Sequence, residues 1–84
     1  MNSFEDYYIV KHNSKIFEPN TIVKFITCSD SGNCYLISDL NDDYKREWIM
    51  YYDLYPVGEI NENKHLFNEK FNEIALKFIN DNTK

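Results

Sequence analysis

Glycine and long apolar runs are scarce in this sequence, and each shortage excludes a class of protein. The 84 residues include only two glycines, Gly32 and Gly58. A loop that cradles phosphate needs several glycines close together, so a nucleotide-binding loop of that kind is excluded. No apolar run reaches the roughly 20 residues that a membrane-spanning helix requires. The first residues carry neither a basic region nor an apolar stretch, so we expect no secretion signal and a cytoplasmic protein.

Basic residues are also in short supply. Nine Lys and Arg stand against 14 Asp and Glu, which gives a net charge of −5. Lys and Arg must neutralise phosphates when a protein binds the backbone of a nucleic acid, and anionic membrane surfaces attract the same residues. The sequence therefore predicts a protein that binds neither nucleic acid directly nor a membrane.

Cysteine occurs only twice, at Cys28 and Cys34. In a reducing cytoplasm we interpret the pair as free thiols. The two residues flank the turn sequence 29–33, so a disulfide across a hairpin is a weaker alternative. A zinc site would also need His12 and His65, but the spacings match no ligand pattern of zinc proteins. We expect no cofactor and no metal.

Aromatic residues are abundant, with seven Tyr, six Phe and one Trp. Each buried ring removes on the order of 150–250 Å² from water, so rings can supply much of the core of a small protein. The length fits a single domain over residues 1–84. We expect residues 1–60 to be mainly β and residues 61–84 to form a C-terminal helix.

Alternating and β-rich segments predict several strands. They cover residues 7–11, 21–28, 34–38 and 47–52, with a shorter segment at 16–17. Gly32 can adopt the positive φ that a short loop requires, so residues 21–38 are predicted to form a hairpin. We expect Trp48 to pack in the core. Pro56 disfavours helical geometry before it, so residues 53–58 are predicted to form either a turn or a single 3-10 turn and a short strand.

The hydrophobic period changes to that of a helix over residues 63–80. The apolar stripe of the predicted helix consists of Phe67, Phe71, Ile74, Ala75 and Phe78. Charged residues occupy the opposite face, and Glu73 and Lys77 form an i, i+4 pair. The sequence therefore predicts one amphipathic C-terminal helix and an α+β fold.

The order of these features resembles that of small SH3-like β-barrel proteins of bacteria and phages. Over residues 16–57 it consists of a strand, a tight turn, a second strand, an acidic loop and a Trp-bearing strand. The segment ends with Asp53-Leu54-Tyr55-Pro56-Val57. The resemblance implies an SH3-like β-barrel of four to five strands onto which the helix packs. The alternative is a small antiparallel sheet with the helix across one face.

The acidic residues are concentrated in the middle of the chain. Residues 29–62 contain eight acidic and two basic residues, a net charge of −6. Such a segment can face a basic groove and imitate the phosphates of DNA, with tyrosines adding contact area. The predicted partner-binding residues are Asp39, Asp42, Asp43, Tyr44, Glu47, Tyr51, Asp53 and Tyr55. The simpler interpretation is a solvated loop that keeps the protein soluble.

Catalytic chemistry is not visible in the sequence. Asp42 and Asp43 are adjacent carboxylates, but no third group accompanies them and turn formation explains them better. We therefore expect a non-catalytic protein-binding protein, monomeric or homodimeric. Its partner would be a basic, nucleic-acid-binding protein of a bacterial host. A phage or mobile element would encode the chain, which would inhibit this partner in the host cytoplasm. The alternative is an SH3-like accessory subunit that self-associates through sheet edges or the helix.

Overall fold

The computed structural model of the protein describes residues 4–58 and 69–82. Within them lie a five-stranded antiparallel sheet and one C-terminal helix, which confirms the predicted α+β class. The elements in chain order are β1 (Tyr7–Val10), β2 (Ile22–Cys28), β3 (Cys34–Asp39), β4 (Arg46–Met50), a 3-10 turn (Tyr51–Asp53), β5 (Leu54–Pro56) and α1 (Glu69–Asp81). The part of the predicted helix before Glu69, including Phe67, lies outside the described residues.

The strands follow the order β4-β3-β2-β1-β5. The predicted hairpin of β2 and β3 is confirmed, and Gly32 in its turn has a φ of +80°. The register shifts between Phe25 and Thr27, and a bulge of this kind bends a strand and increases its twist. β1 pairs with both β2 and β5, so the last strand returns beside the first. Leu54–Pro56 form a short strand, which was one alternative for residues 53–58, whereas the 3-10 turn lies earlier, at Tyr51–Asp53, in place of the predicted end of the strand before it.

The two faces of the sheet bury two separate apolar clusters. One side of the sheet, which we call the inner face, carries Val10, Val23, Ile37, Ile49 and Leu54. These side chains form a buried cluster together with Phe17 from the loop before β2. The opposite side is the outer face. Successive residues of a strand point to opposite faces, which is why Ile9 and Val10 enter different clusters.

Helix α1 covers one part of the outer face. Its stripe, which includes Ala75 and Ile79, packs against Ile9, Tyr55 and Val57. This confirms the predicted amphipathic helix, and its charged residues Glu69, Lys70, Glu73 and Lys77 are exposed. A ring cluster at one edge joins the helix to β1, with Tyr7 and Phe78 centroids 5.0 Å apart. The outer cluster thus lies over β1 and β5.

The prediction that Trp48 packs in the core is wrong, because 51% of this residue is exposed. Trp48 is opposite Leu36 in the β3–β4 ladder, so both lie on the outer face. The neighbouring Ile49 points inward and is buried instead. The outer cluster at α1 does not extend to Trp48, which accounts for the exposure of the indole.

Residues 16–17 form part of a loop and not the predicted short strand. Ser14 N–H donates to Phe17 O, and Phe17 N–H donates to Ser14 Oγ, so the backbone turns here. Asn20 has a φ of +71°, which is incompatible with an extended strand. Phe17 is nevertheless buried in the inner cluster, so the loop is fixed to the sheet by its aromatic ring.

Cys28 and Cys34 do not face each other across the hairpin. Cys28 is opposite Tyr35, so these two share a face, whereas Cys34 lies one residue earlier on β3 and points to the other face. Cys28 is exposed, and Cys34 Sγ lies 3.2 Å from Met50 Sδ on the outer face. Because a disulfide requires the two Cβ atoms to point towards each other, this register does not suit one.

Candidate functional site

The β3–β4 loop, residues 40–45, contains the densest part of the acidic segment. Asp39 Oδ2 accepts a hydrogen bond from Asn41 N–H at 3.0 Å, and Asp42 Oδ1 accepts one from Tyr44 N–H at 3.0 Å. Asp and Asn side chains commonly bond to the backbone two residues later and so form turns. These two carboxylates therefore shape the loop, in agreement with the turn interpretation of the sequence.

The other two acids near this loop also have partners. Asp43 Oδ1 lies 3.4 Å from Lys24 Nζ, an exposed ion pair. Both carboxylate oxygens of Glu47 accept backbone hydrogen bonds, from Lys15 N–H and Ile16 N–H, at 3.2 Å each. Glu47 thus holds the loop of residues 11–20 against β4, a structural role that the sequence did not reveal.

Asp53 lies in the 3-10 turn, next to the first residue of the loop of residues 11–20. Its backbone oxygen accepts from Lys11 N–H at 2.9 Å, and its Oδ1 lies 3.8 Å from His12 Nε2. Lys11 Nζ donates to the backbone oxygen of Tyr52 at 3.0 Å. The Asp53 carboxylate is therefore next to His12, and it does not form a continuous row with the β3–β4 loop.

The three predicted tyrosines have different environments. Tyr44 at the tip of the β3–β4 loop is 95% exposed, and Tyr51 in the 3-10 turn is 49% exposed. Tyr55 is only 5% exposed, because its ring packs at 4.9 Å from that of Phe71 in α1. Tyr55 is therefore a core residue, and its burial is not compatible with the predicted role in partner binding.

The structure groups some of the remaining predicted residues and separates others. Asp39, Asp42, Asp43 and Tyr44 lie together at one end of β3, whereas Tyr51 contacts the turn at the other end through a bond from its N–H to Asn33 O. β3 has six residues, which corresponds to about 20 Å of extended chain. The predicted residues thus do not form one surface.

A row of aromatic rings on the inner face is the surface that the sequence analysis missed. Its members are Tyr8, Phe25, Tyr35, Tyr51 and Tyr52. The centroid distances between neighbours run from 5.1 to 6.4 Å. The first three rings are partly buried, and the last two are about half exposed. We call this surface the aromatic row.

Only part of the aromatic row could be found from sequence. Tyr8, Phe25 and Tyr35 come from three different strands, and they meet because the ladder register places them on one face. Register depends on pairing between distant segments, so no local pattern gives it. The adjacent Tyr51 and Tyr52 are visible in the sequence, but their exposure results from the 3-10 turn.

Acidic residues flank the aromatic row. Asp6 is exposed, and its backbone oxygen accepts from Phe25 N–H at 2.6 Å, so it lies beside the row. Asp53 follows Tyr52 in the 3-10 turn. Asp30 is exposed in the β2–β3 turn, which also contains Asn33, the acceptor for Tyr51 N–H. Lys11 is a basic residue at this surface, through its bond to Tyr52.

Comparison of the chain with protein-family models, with curated proteins and with solved structures gave no match. In residues 4–58 and 69–82, no three His, Cys, Asp or Glu side chains come together in a way that could hold a metal ion. Across the same ranges, no helix has both the length and the apolar composition needed to cross a membrane.

Proposed function

We propose that this chain is a non-catalytic protein-binding protein, and that its aromatic row binds a basic segment of another protein. The observation that carries the proposal is the continuity of the five rings, which ends in two half-exposed tyrosines. Tyrosine is enriched at protein interfaces because its ring is rigid, mainly apolar and able to form a hydrogen bond. The flanking Asp6, Asp30 and Asp53 favour a basic partner.

The size of the aromatic row fits a short extended segment. The path from Tyr8 through Tyr35 and Tyr51 to Tyr52 consists of centroid steps of 5.6, 6.4 and 5.5 Å. This path corresponds to about five residues of extended chain at about 3.3 Å per residue. A peptide of that length would place alternate side chains on the rings and present its basic groups to the flanking carboxylates.

The more specific form of the proposal is that the partner is a basic nucleic-acid-binding host protein, inhibited by occupation of its binding surface. The net charge of −6 over residues 29–62 supports it, since a field of this sign steers the protein to a basic surface. Asp42 and Asp43 are exposed at the β3–β4 loop and would form a second contact. The phage or mobile-element origin and the cytoplasmic location belong to this form of the proposal.

The test compares two pairs of substitutions. Binding of fluorescent octapeptides rich in Lys and Arg is measured by anisotropy for the wild type, for Tyr51→Ala with Tyr52→Ala, and for Asp42→Asn with Asp43→Asn. We expect the tyrosine pair to weaken binding at least about tenfold, since exposed aromatic anchors dominate such interfaces. Tyr44→Ala is the matched control, because this tyrosine is exposed but lies outside the aromatic row. Equal binding by the tyrosine pair and the control would refute the proposal.

The inhibitory form needs a separate assay. A basic partner captured from a bacterial lysate should lose its nucleic-acid binding when the wild-type protein is added, and high salt should reverse the effect because exposed charges are screened. The Asp42→Asn, Asp43→Asn protein should compete less well. A partner that binds nucleic acid equally well with and without this protein would exclude inhibition by mimicry.

An SH3-like accessory subunit is the second candidate function, and the strand pairing favours it. β1 pairs with β5 as well as β2, so the first and last strands of this open sheet lie side by side, which supports the resemblance to SH3-like proteins. The β2–β3 ladder contains a bulge, a feature that bends strands, and a 3-10 turn joins β4 to β5. A subunit of this type would act by self-association, so its oligomeric state is the relevant measurement.

A further inference from the structure

The free edge of β4 belongs neither to the aromatic row nor to the β3–β4 loop. β4 is the first strand in the sheet order, and among residues 4–58 and 69–82 it has β3 as its only neighbouring strand. A strand at the edge of a sheet presents unpaired N–H and C=O groups to which another chain can pair. Which groups point outward depends on the phase of the β3–β4 ladder.

Two backbone hydrogen bonds fix that phase. Tyr51 N–H donates to Asn33 O at 2.9 Å, and Asp39 N–H donates to Lys45 O at 2.9 Å. Hydrogen-bonded and non-hydrogen-bonded pairs alternate along an antiparallel ladder. The odd-numbered residues of β4 therefore face β3, and the even-numbered residues direct their backbone groups to the free edge.

The outward groups are the N–H and C=O of Arg46 and Trp48 and the N–H of Met50. The carbonyl of Met50 is not counted, because Met50 is the N-cap of the 3-10 turn. The side chains of these three residues lie on the outer face, opposite Ser38, Leu36 and Cys34 respectively. The indole of Trp48, half exposed, is thus in the middle of the edge. Open backbone groups and an exposed apolar ring occur together at this position.

We propose that two copies of this chain pair antiparallel through their β4 edges, about a twofold axis at Trp48. The outward groups of an antiparallel edge are self-complementary under such an axis, so an identical copy supplies a matching edge. With Trp48 opposite Trp48 of the second copy, Arg46 lies opposite its Met50. This register forms about four backbone hydrogen bonds and places the two indoles side by side on the outer face.

The local charge also fits a second copy of this chain. Each copy carries −5 overall, and the acidic middle segment would repel its equivalent. Lys45, Arg46 and Glu47 make the start of β4 net positive by one charge, so the edges themselves are not acidic. The two β4 strands are thus the part of the middle segment that can approach its own copy with little repulsion.

The inference gives the second candidate function a specific interface and rests on that candidate. It does not depend on the aromatic row, which lies on the inner face and includes no residue of β4. The Tyr51→Ala, Tyr52→Ala protein should therefore remain dimeric while losing peptide binding. Peptide binding and dimerisation can therefore be lost independently, and each is measured in a separate assay.

Met50→Pro is the decisive variant, because the monomer should accept it. Met50 has a φ of −61° and ψ of 138°, which suits proline, and Ile49 before it is in a strand. Its N–H points to the free edge, so proline removes no bond of the β3–β4 ladder. In the dimer it deletes two symmetry-related donors and inserts two proline rings into the new β4–β4 ladder. Met50→Ala is the matched control, since it removes the side chain and keeps the N–H.

Sedimentation velocity from low to high micromolar concentration gives the readout. We expect the wild type and Met50→Ala to dimerise, and Met50→Pro to raise the dimer dissociation constant at least about tenfold. Unchanged far-UV circular dichroism would show that the Met50→Pro monomer is folded. A wild type that stays monomeric, or a Met50→Pro protein that dimerises like the control, would overturn the proposal.

A second variant and an optical signal keep the test independent of proline. Trp48 is the only tryptophan, so its emission should shift to the blue and its quenching by acrylamide should fall as the concentration rises. Trp48→Lys should abolish the dimer by placing two ammonium groups at the axis. Tyr44→Lys, at an exposed aromatic position outside β4, should leave the dimer unchanged. Emission that does not vary with concentration, or dimerisation of Trp48→Lys, would exclude the β4 interface.

Discussion

Replacing Glu47 with Ala should release the loop of residues 11–20 before the sheet unfolds. Both carboxylate oxygens accept backbone hydrogen bonds, at 3.2 Å each, from Lys15 and Ile16. Hydrogen bonds to a charged group contribute about 1.5–3 kcal/mol each when well shielded. Both bonds here are exposed to solvent, so we expect a total loss of about 1–2 kcal/mol in the free energy of unfolding.

The expected loss is large enough to measure by two assays. In a domain of this size 1 kcal/mol shifts the melting temperature by about 4–8 °C, so Glu47→Ala should melt about 5–15 °C lower. Trypsin should also cut after Lys11 and Lys15 faster than it cuts the strands, because the loop opens locally. Glu47→Gln keeps one acceptor oxygen and should give an intermediate result.

Asp30→Ala serves as the control for loss of an acidic charge, because Asp30 is exposed in the β2–β3 turn. It should change stability by no more than about 0.5 kcal/mol. A Glu47→Ala protein that matched this control in both melting temperature and tryptic cleavage would contradict the role of Glu47 in holding the loop. In that case the ring of Phe17 alone would fix the loop to the sheet.

Three further predictions concern the sheet and its hairpin. Ile37→Ala should cost about 2–5 kcal/mol in urea denaturation, because Ile37 is fully buried in the inner cluster, and a loss below 1 kcal/mol would contradict that placement. Gly32→Ala should cost about 1 kcal/mol, since its φ of +80° is unfavourable for residues with a Cβ, and circular dichroism should show an unchanged fold. Cys28 should react with a thiol reagent faster than Cys34, as judged by mass spectrometry after brief labelling, and equal rates would contradict the register.

Local patterns predicted the elements of this fold well. The apolar stripe of α1 repeats with helical period, and the hairpin turn contains the one glycine whose φ is positive, so both can be read from neighbouring residues. The short strand that ends at Pro56 was one of two alternatives for residues 53–58, whereas the 3-10 turn at Tyr51–Asp53 replaces the predicted end of the strand before it. The ends of β1 to β4 differ from the predicted ones by at most two residues.

The errors occurred where one element determines the surroundings of another. Trp48 is exposed and Tyr55 is buried because α1 packs over β1 and β5, and the sequence does not show where on the sheet a helix docks. Glu47 is separated by more than 30 residues from the two N–H groups that it binds, so its role is not visible in any local pattern. The grouping of rings in the aromatic row likewise depends on strand register.

The position of β1 between the two clusters has a consequence for the order in which the molecule opens. Ile9 contributes to the outer cluster and Val10 to the inner cluster, so β1 is sandwiched while β3 and β4 bury their apolar residues inward. Detachment of α1 would expose the outer cluster and leave the inner one intact. Amide hydrogens of α1 should therefore exchange with solvent at a lower free energy than those of β2 and β3. Such a partly opened species would retain the aromatic row, so partner binding could outlast the helix.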